Sequence, residues 1–292
     1  QVPNGFNTII DHITNNGDGT LDIWLADAPY IPIITKKEDE EFAADVALLS
    51  RNVKIQCSMD EDDKGSYLQI LHTPDVAQVI QGVELTNMGR AGEVDRYPLQ
   101  FLYSGSIEGT DIRYLSIRDS NMRCISIDGT GNVTISHTVA HNNKGHCIYI
   151  GHEAQYNIIE HNFVSNTLAI KYSDRIPFEE DDRPAAFRNR FGPNDYSFNK
   201  AIAAQHHGFK FSNGDKTYYE DHSSGSPDPR LFPMGRFAFN EAKSNGETGM
   251  SFSEHERNSE KIVFSNLKSY KNRYYGFYLY RAAGVSIANS LF

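Results

Sequence analysis

Several features that define other classes of protein are scarce or absent in this sequence of 292 residues. It has three cysteines, which are too few for a dense disulfide framework, and their spacing fits no zinc motif. No apolar run approaches the roughly 20 residues needed to cross a bilayer, and no charged-apolar-small pattern opens the chain. We therefore expect no membrane span within this chain.

An excess of positive charge is also missing. Lysine and arginine number 28 against 38 aspartates and glutamates, which gives a net charge of -10. This is the wrong sign for a protein that must neutralise phosphates, so a nucleic-acid partner is not expected. Two acidic stretches have the oxygen density of calcium loops, but neither completes a calcium motif. We expect acidic turns at NNGDGT (15–20) and DEDDKG (60–65), and neither a metal site nor a cofactor.

What the sequence does contain is apolar material arranged in short, strand-like repeats. Hydrophobic residues make up 39% of the chain, with 17 Phe and 16 Tyr, which is enough for a continuous core. One phrase recurs: a polar residue, a short turn, and an apolar triplet that alternates inward and outward. Its copies include DSNMRCISI (119–127), HNNKGHCIYI (141–150), SNGETGMSF (244–252) and KNRYYGFYLY (271–280).

The spacing of these phrases predicts a parallel β-helix. Cys124 and Cys147 are 23 residues apart (147 − 124), and Met250 and Phe277 are 27 apart (277 − 250). One coil of such a solenoid has a period in this range, and like residues stack on successive coils. We expect the two cysteines, Met250 and Phe277 to form one file, meaning a row of side chains in which each coil contributes one residue. We expect a second file from Ile112, Val133 and Ile158. Asparagines are expected at the corners of the coils.

The predicted fold is all-β: one parallel β-helix domain over residues 1–292 with long inserted loops. Its N-terminal part, 1–100, is less regular, and the two segments rich in charge, Pro and Gly at about 171–195 and 212–233 interrupt the period as loops. The last residues, VSIANSLF, read as the middle of another coil. We therefore expect a piece of a longer protein, with self-assembly or neighbouring domains at the solenoid ends.

The repeat places Cys124 and Cys147 one coil apart, with their Cα atoms separated by about 4.8 Å. A disulfide could form at that distance, but we favour free thiols packed as small hydrophobic groups. Asn132 begins the sequon Asn-Val-Thr in a turn, where a glycan could stand clear of the surface. We predict glycosylation at Asn132.

A series of segments, taken in order, resembles a known family. The segments are ALLSRNVKIQ (47–56), GVELTNMGRAGEVDRYPLQF (82–101), SIRDSNMRCISIDGTGNVTI (116–135), VAHNNKGHCIYI (139–150) and FPMGRFAFNEAKSNGETGM (232–250). They are similar to the region after the G8 domain in cell-migration-inducing hyaluronidase, transmembrane cell-surface hyaluronidase, and fibrocystin and fibrocystin-L. The resemblance implies a right-handed parallel β-helix on an extracellular or cell-surface protein.

This sequence departs from the family at two places. Where members carry a histidine pair after Tyr-Pro, of the form YPxHFH, this chain has Gln100 and Leu102. Where members have an acidic pair after Gly-His, this chain has Gly151-His152-Glu153. If those family groups serve catalysis, most of them are lost here, and the departures favour a protein without activity.

Candidate functional residues follow from the local concentration of histidine, carboxylate and arginine. If the chain is an enzyme, we expect His146, Glu153 and Arg96 to carry acid-base work and substrate contact. For glycan binding we expect His141, His152, Arg123 and Tyr149. Tyr114, Tyr149, Tyr278 and Tyr280 could form an outward stripe that stacks on sugars, or an aromatic ladder. A purely solvated histidine face remains the simpler alternative.

The sequence thus leaves two functions open. The first is an extracellular β-helix module with a structural or glycan-recognising role, whose partners are extracellular glycans or proteins. The alternative is a hyaluronidase-like enzyme that depolymerises a polyanionic glycan. The missing histidine and acidic pairs favour the first, and the acidic net charge agrees, because hyaluronan would be repelled unless a local basic groove compensates.

Overall fold

The computed structural model describes residues 8–27, 45–58, 64–176, 180–190, 192–212, 233–255 and 261–292. Two compact units are present, residues 3–47 and residues 48–292. In the first unit, β1 (Ile10–Asn15) and β2 (Leu21–Leu25) form an antiparallel hairpin. Its turn is the predicted acidic turn NNGDGT, in which the backbone NH of Gly17 donates to Asn15 Oδ1 and that of Thr20 to Asp18 Oδ1.

The second unit is a solenoid in which every coil contributes strands to three faces. In chain order, its strands are β3 (Val53–Gln56), β4 (Leu68–Leu71) and β5 (Val79–Gln81) in coil 1; β6 (Val83–Thr86) and β7 (Leu99–Arg113) in coil 2; β8 (Ser116–Arg118) and β9 (Ile125–Ser136) in coil 3; β10 (Val139–Lys144), β11 (Ile148–Ile150) and β12 (Ile158–Glu160) in coil 4; β13 (Phe163–Leu168), β14 (Ala185–Asn189) and β15 (Asp195–Ser197) in coil 5; β16 (Lys200–Ile202), β17 (His207–Ser212) and β18 (Phe237–Ala238) in coil 6; β19 (Glu241–Lys243), β20 (Thr248–His255) and β21 (Ile262–Ser265) in coil 7; and β22 (Lys268–Tyr270), β23 (Tyr275–Ala282) and β24 (Val285–Ala288) in coil 8.

All strand pairs in the solenoid are parallel, and each strand pairs with its counterparts in the coils above and below. Sheet 1 runs from β4 through the first part of β7 and of β9 to β11, β14, β17, β20 and β23. Sheet 2 runs from β5 through the second part of β7 and of β9 to β12, β15, β18, β21 and β24. Sheet 3 is the eight-stranded sheet from β3 to β22. The predicted all-β parallel β-helix is therefore confirmed.

The interior is filled by files of apolar side chains, one residue from each coil. On sheet 1 a file passes through Ile125, Ile148, Phe187, Phe209 and Met250, and it continues to Phe277. The lower coils are mainly aliphatic and the upper ones aromatic. Phe187 and Phe209 stack with 4.7 Å between ring centroids, a separation close to the strand spacing.

Two details of the predicted files are wrong. Ile148, not Cys147, shares the file of Phe209, so the cysteines lie one residue out of the expected alignment. On sheet 2 the file is Ile112, Ile135 and Ile159, and Ile158 is 41% exposed. A slip of one residue in a strand reverses the face of its side chain, which is why approximate spacing misassigns neighbours.

Cys124 and Cys147 form a disulfide, with a Cα–Cα distance of 4.6 Å. The predicted separation is close to this value, but the favoured pair of free thiols is wrong. Parallel pairing brings the cysteines side by side, since the backbone NH groups of Cys124 and Ile125 both donate to the carbonyl oxygen of Cys147. Cys57 is the remaining free cysteine.

Backbone turns repeat at the same place in each coil. Between sheets 2 and 3, eight successive corners each have one residue with positive φ, namely Gly82, Tyr114, His137, His161, Phe198, Phe239, Asn266 and Asn289. Between sheets 3 and 1, seven coils have a positive-φ residue at an equivalent place, at Asn87, Asp119, Asn142, Asn166, Ala203, Ser244 and Lys271, and some of these connections have further ones, such as Arg123 and Gly145. Asparagine occupies five of these fifteen positions, Asn87, Asn142, Asn166, Asn266 and Asn289, so the predicted corner asparagines are confirmed there, and their short polar side chains tolerate this conformation and bond locally.

Inside the corners, buried asparagines form ladders along the axis. Asn162 donates from Nδ2 to Asn199 Oδ1 at 3.0 Å, and Asn199 donates in the same way to Asn240 Oδ1 at 3.1 Å. The backbone NH of each of these donors also bonds to the next amide oxygen. Because all three residues are almost fully buried, the ladder satisfies polar groups that would otherwise destabilise the turn.

The predicted loops are only partly supported. β14 (Ala185–Asn189) and the start of β15 lie inside the segment 171–195, so the actual excursion between β13 and β14 ends before Ala185. It contains one short 3-10 turn at Tyr172–Asp174. Nearly all of the second predicted loop, residues 213–232, falls outside the described residues, as does most of DEDDKG at 60–65.

Candidate functional site

The outward face of sheet 1 brings polar and aromatic side chains into one file. The strand register gives this file as Gln69, Gln100, Ser126, Tyr149, Arg188, Lys210, Ser251 and Tyr278. Gln100 is fully buried and donates from Nε2 to Asp95 Oδ1 at 2.7 Å. It accepts a bond from Gln69 Nε2 at 3.1 Å. Gln100 thus serves in an amide network of the first coils.

Arg123 is the centre of a buried cluster beside this file. Its guanidinium carbon lies 3.7 Å from the ring centroid of Tyr149 and 4.5 Å from that of Tyr97. Nη2 lies 3.0 Å from Asp181 Oδ2, and Nε donates to Asp181 Oδ1 at 3.3 Å. Arg123 and Asp181 are 2% and 0% exposed in their side chains, so the pair is a two-point ion pair excluded from water.

His146, the predicted acid-base candidate, is fully buried next to this cluster. Its backbone NH donates to Asp181 Oδ1 at 2.9 Å, and its Nδ1 accepts from the backbone NH of Ala185 at 2.9 Å. The preceding Gly145 has φ +72°, and a Cβ there would lie 2.7 Å from Asp181 Oδ1. Glycine at position 145 therefore permits the close approach of Asp181. Because Nδ1 of His146 accepts a hydrogen bond, the ring proton of neutral His146 lies on Nε2.

The structure brings together only part of the predicted set. His146, Arg123 and Tyr149 meet, with 5.8 Å between the rings of His146 and Tyr149. His141 lies instead on sheet 3, where its Nδ1 pairs with Ser165 Oγ at 2.8 Å. Burial lowers the pKa of His141. Because most of its ring is shielded, the solvated-histidine interpretation fits neither His141 nor His146.

The remaining candidates lie in turns and loops. His152 and Glu153 are adjacent in the turn after β11, with 4.0 Å between His152 Nδ1 and Glu153 Oε1. Arg96 lies in the loop before β7, with its guanidinium carbon 4.6 Å from the ring centroid of Tyr67. Asn132 sits at a positive-φ turn within β9, and its Nδ2 donates to Ser106 Oγ at 2.8 Å. The glycosylation of Asn132 stays a prediction.

Replacing Glu153 with alanine is expected to change stability by less than about 0.5 kcal/mol, because the side chain is exposed. Its side chain is 48% exposed, and Glu153 Oε1 lies 4.0 Å from His152 Nδ1. Chemical denaturation of Glu153→Ala beside the wild type tests this. A loss above about 2 kcal/mol would instead identify Glu153 as structural.

A second charged cluster on sheet 1 involves residues that the sequence analysis did not identify. Lys210 Nζ lies 2.7 Å from Glu180 Oε2, and Arg188 Nη2 lies 3.4 Å from the same oxygen. Burial lowers the pKa of Lys210 and the charge of Arg188 lowers it further, while Glu180 opposes the shift. Burial raises the pKa of Glu180, but the two cations outweigh it and hold this pKa well below its usual range.

Next to Lys210, Glu247 bridges two histidines and an arginine. Its carboxylate lies 3.0 Å from His206 Nδ1, 3.4 Å from His207 Nε2 and 2.7 Å from Arg183 Nη2. Burial, together with the charge of Lys210, lowers the pKa of His207 well below its usual range. His207 is therefore a neutral ring at physiological pH.

The face becomes more open in coils 7 and 8. Tyr278 and Tyr280 occupy outward positions of β23, next to Ser251 and Ser253 of β20, and they are 38% and 44% exposed. Tyr275, on the same strand, is 54% exposed. Of the predicted outward tyrosines, Tyr149 is covered and Tyr278 and Tyr280 are accessible. Tyr114 belongs to a separate stack with His137 at the corner of sheets 2 and 3.

One signal could have revealed the second cluster. Arg188 and Lys210 are 22 residues apart (210 − 188) and occupy equivalent positions in FRN and FKF of neighbouring coils. Because we assigned Arg188 to a loop, its place on sheet 1 was missed. Over the described ranges, no three His, Cys, Asp or Glu side chains are arranged to hold a metal ion, and none of the residues described there belongs to a helix long and apolar enough to span a bilayer.

Comparison with known proteins places these features in a family context. The family described as CEMIP beta-helix matches residues 64–250. A G8 domain-containing protein of Dictyostelium discoideum is 29% identical over 226 residues, which cover 71% of this chain and 16% of that protein. The cell surface hyaluronidase of Danio rerio is 26% identical over 261 residues, which cover 72% of this chain and 18% of that protein. This chain thus spans less than a fifth of the length of these relatives.

Proposed function

Because this chain belongs to the CEMIP beta-helix family, we propose that it is a glycan-recognising module of an extracellular or cell-surface protein. In this proposal, sheet 1 binds a polyanionic glycan along the solenoid axis and does not cleave it. The relative from Danio rerio, named a cell surface hyaluronidase, supports both the location and the class of ligand. Extracellular proteins remain further partners, either beside the solenoid or at its ends.

The observation that carries the proposal is the order of side chains on sheet 1 between coils 5 and 8. Arg188 and Lys210 supply adjacent positive charges, Ser251 and Ser253 supply hydroxyls, and Tyr278 presents an exposed ring. Charged groups of this kind attract carboxylates, and tyrosine combines an apolar face with a polar tip. Neighbouring strands place these side chains about 4.8 Å apart along the solenoid axis, a spacing that suits a long, repetitive polymer.

The local arrangement of charge on sheet 1 explains how a chain with an acidic net charge binds a polyanion in this proposal. Arg188 and Lys210 lie side by side on sheet 1, and an adjacent pair of cations can attract a polyanion even though the whole molecule is negative. This attraction acts within roughly a Debye length, about 8 Å at physiological salt. Binding should therefore weaken as salt is added.

The environments of the candidate catalytic residues support the part of the proposal that the glycan is bound without being cleaved. Gln100 and Leu102 stand in the family histidine places. His146 is buried with Nδ1 engaged by the backbone, and the Glu153 side chain is 48% exposed. Glycoside hydrolysis needs paired carboxylates across the scissile bond or an equivalent acid-base pair, and the predicted residues do not form one.

The hyaluronidase-like enzyme stays as the second candidate because of the cluster around Glu247. His207, whose Nε2 lies 3.4 Å from that carboxylate, has a lowered pKa, as does Lys210 beside Glu180, and shifted groups often mark catalytic sites. An enzyme of this kind would shorten the hyaluronan chain, whereas a binding module would leave its length unchanged.

We expect the purified protein to bind hyaluronan and to leave its chain length unchanged, with or without added divalent cations. Calorimetry with hyaluronan oligosaccharides measures binding, and size-exclusion chromatography of high-molecular-weight hyaluronan measures cleavage. Lys210→Gln should weaken binding about 3- to 10-fold, as expected for loss of one charge-assisted contact. The matched control is Lys200→Gln, which removes an exposed lysine from sheet 3.

The control should bind as the wild type does. Equal losses for Lys200→Gln and Lys210→Gln would reduce the effect to net charge and contradict a site on sheet 1. Shortening of hyaluronan that disappears in His146→Ala or Lys210→Gln would replace the proposal with the enzymatic alternative.

A further inference from the structure

A short acidic segment of the chain already occupies the cations of sheet 1. Residues 180–183, between β13 and β14, contact four coils. Asp181 pairs with Arg123 of coil 3, Glu180 with Arg188 of coil 5 and Lys210 of coil 6, and Arg183 with Glu247 of coil 7. The segment lies across the face on which the proposed glycan would run.

The two adjacent carboxylates in this segment differ in their environment. Asp181 is fully buried and also accepts the backbone NH of His146, so it is part of the folded framework. Glu180 has a side chain that is 45% exposed, and its ion-pair partners are Lys210, at 2.7 Å, and Arg188, at 3.4 Å. Glu180 therefore sits at the surface on the same two cations that carry the proposed function.

We infer that Glu180 is an internal competitor, whose carboxylate takes the position of a ligand carboxylate on Arg188 and Lys210. This inference rests on the proposed function. A glycan carboxylate that binds these cations must displace Glu180, so one anion is exchanged for another and the Coulomb energy gained is reduced. Because Glu180 is attached to the same chain, its effective concentration at the cations is high.

This competition gives the site a preference for ligands with many charges. A neutral glycan offers no anion to replace Glu180 and would leave the charges of Arg188 and Lys210 without the carboxylate of Glu180, which is unfavourable for partly buried cations. A polyanion replaces the carboxylate at the site and gains further contacts along sheet 1. Glu180 therefore acts against weak or uncharged ligands, a selection by repulsion and unpaired charge.

Mild acid does not remove the competitor. The pKa of Glu180 lies well below its usual range because Arg188 and Lys210 outweigh the effect of burial. The carboxylate therefore stays ionised from neutral pH down to the ordinary glutamate pKa near 4.5, and its contact with the cations persists. Exposure of the cations depends on displacement by another anion.

The test compares Glu180→Gln with Glu241→Gln. Glu241 is a matched control on sheet 3, where its carboxylate lies 3.4 Å from Lys200 and 3.9 Å from Lys243. Each substitution removes one negative charge from an anion held by two cations. The affinity for hyaluronan oligosaccharides is measured by calorimetry at low salt, after circular dichroism has verified the fold of each variant.

Glu180→Gln should bind hyaluronan oligosaccharides about two- to fivefold more tightly than the wild type, the range expected for removal of a partly exposed ion pair. Glu241→Gln should bind as the wild type does. Equal tightening of both variants would show an effect of net charge, and weaker binding by Glu180→Gln would make Glu180 a ligand contact. Either result overturns the inference.

The outcomes also separate this inference from the proposed function. Binding by the wild type without tightening in Glu180→Gln overturns the competitor alone. Absence of binding by both proteins overturns the glycan site and the competitor together. Binding by Glu180→Gln alone supports both, with the wild-type cations fully blocked by Glu180.

Discussion

Asp181→Ala is expected to destabilise the β-helix by about 3–5 kcal/mol, the range found when one partner of a buried ion pair is removed. The substitution leaves the guanidinium of Arg123 at 2% exposure without its carboxylate. It also removes the acceptor for the backbone NH of His146. Urea denaturation, compared at equal protein concentration, measures the change in the free energy of unfolding.

Two further variants separate charge from packing. Glu180→Ala, the adjacent carboxylate at the surface, should cost less than about 1 kcal/mol. The double variant Arg123→Met, Asp181→Ala should regain part of the loss, because the unpaired charge is no longer buried. A cost below about 1 kcal/mol for Asp181→Ala would mean that the other contacts of the guanidinium, among them the rings of Tyr97 and Tyr149, are sufficient to hold it.

Replacing both Cys124 and Cys147 with alanine is expected to cost about 3 kcal/mol. The disulfide closes a loop with a sequence separation of 23 residues, and a cross-link of this length restricts the unfolded chain by about that amount in the chain-entropy model. Arg123 and His146 directly precede the two cysteines, so the bond also fixes the backbone that carries both side chains. Thermal and urea denaturation measure the loss.

The free cysteine provides the control for this experiment. Cys57→Ser, at a partly exposed position, should alter stability by less than about 0.5 kcal/mol. Wild-type protein treated with a reductant should approach the double variant. Unchanged stability in both the reduced protein and the double variant would contradict a stabilising role of the disulfide.

The repeating elements of this fold could be predicted because each coil meets the same physical requirement. Apolar triplets such as those at 125–127 and 148–150 alternate inward and outward, and corner residues such as Asp119 and Asn142 adopt the same positive-φ turn. Within a coil the exact register is less certain. The misplaced file of Ile158 shows this, since a slip of one residue exchanges core and surface.

The candidate site was less predictable, for reasons visible in single residues. The local concentration of histidine, carboxylate and arginine indicates Arg123 and His146 as candidates, but their solvent exclusion depends on a distant segment. Lys210 was missed because its partner Glu180 is 30 residues away and belongs to a segment without a repeat. A local sequence pattern predicts whether a side chain points into or out of the solenoid. It does not predict which distant residues bury that side chain.

The amino-acid sequence by itself determined the stacked coils, the turn residues and the neighbouring positions of Cys124 and Cys147, because stacking requires similar residues at every level. Only the tertiary structure decided that Asp181 covers Arg123 across a separation of 58 residues, and that Glu180 rests on Arg188 and Lys210. These contacts join a loop that has no periodic pattern to a regular wall. Their formation depends on how that loop folds back in space.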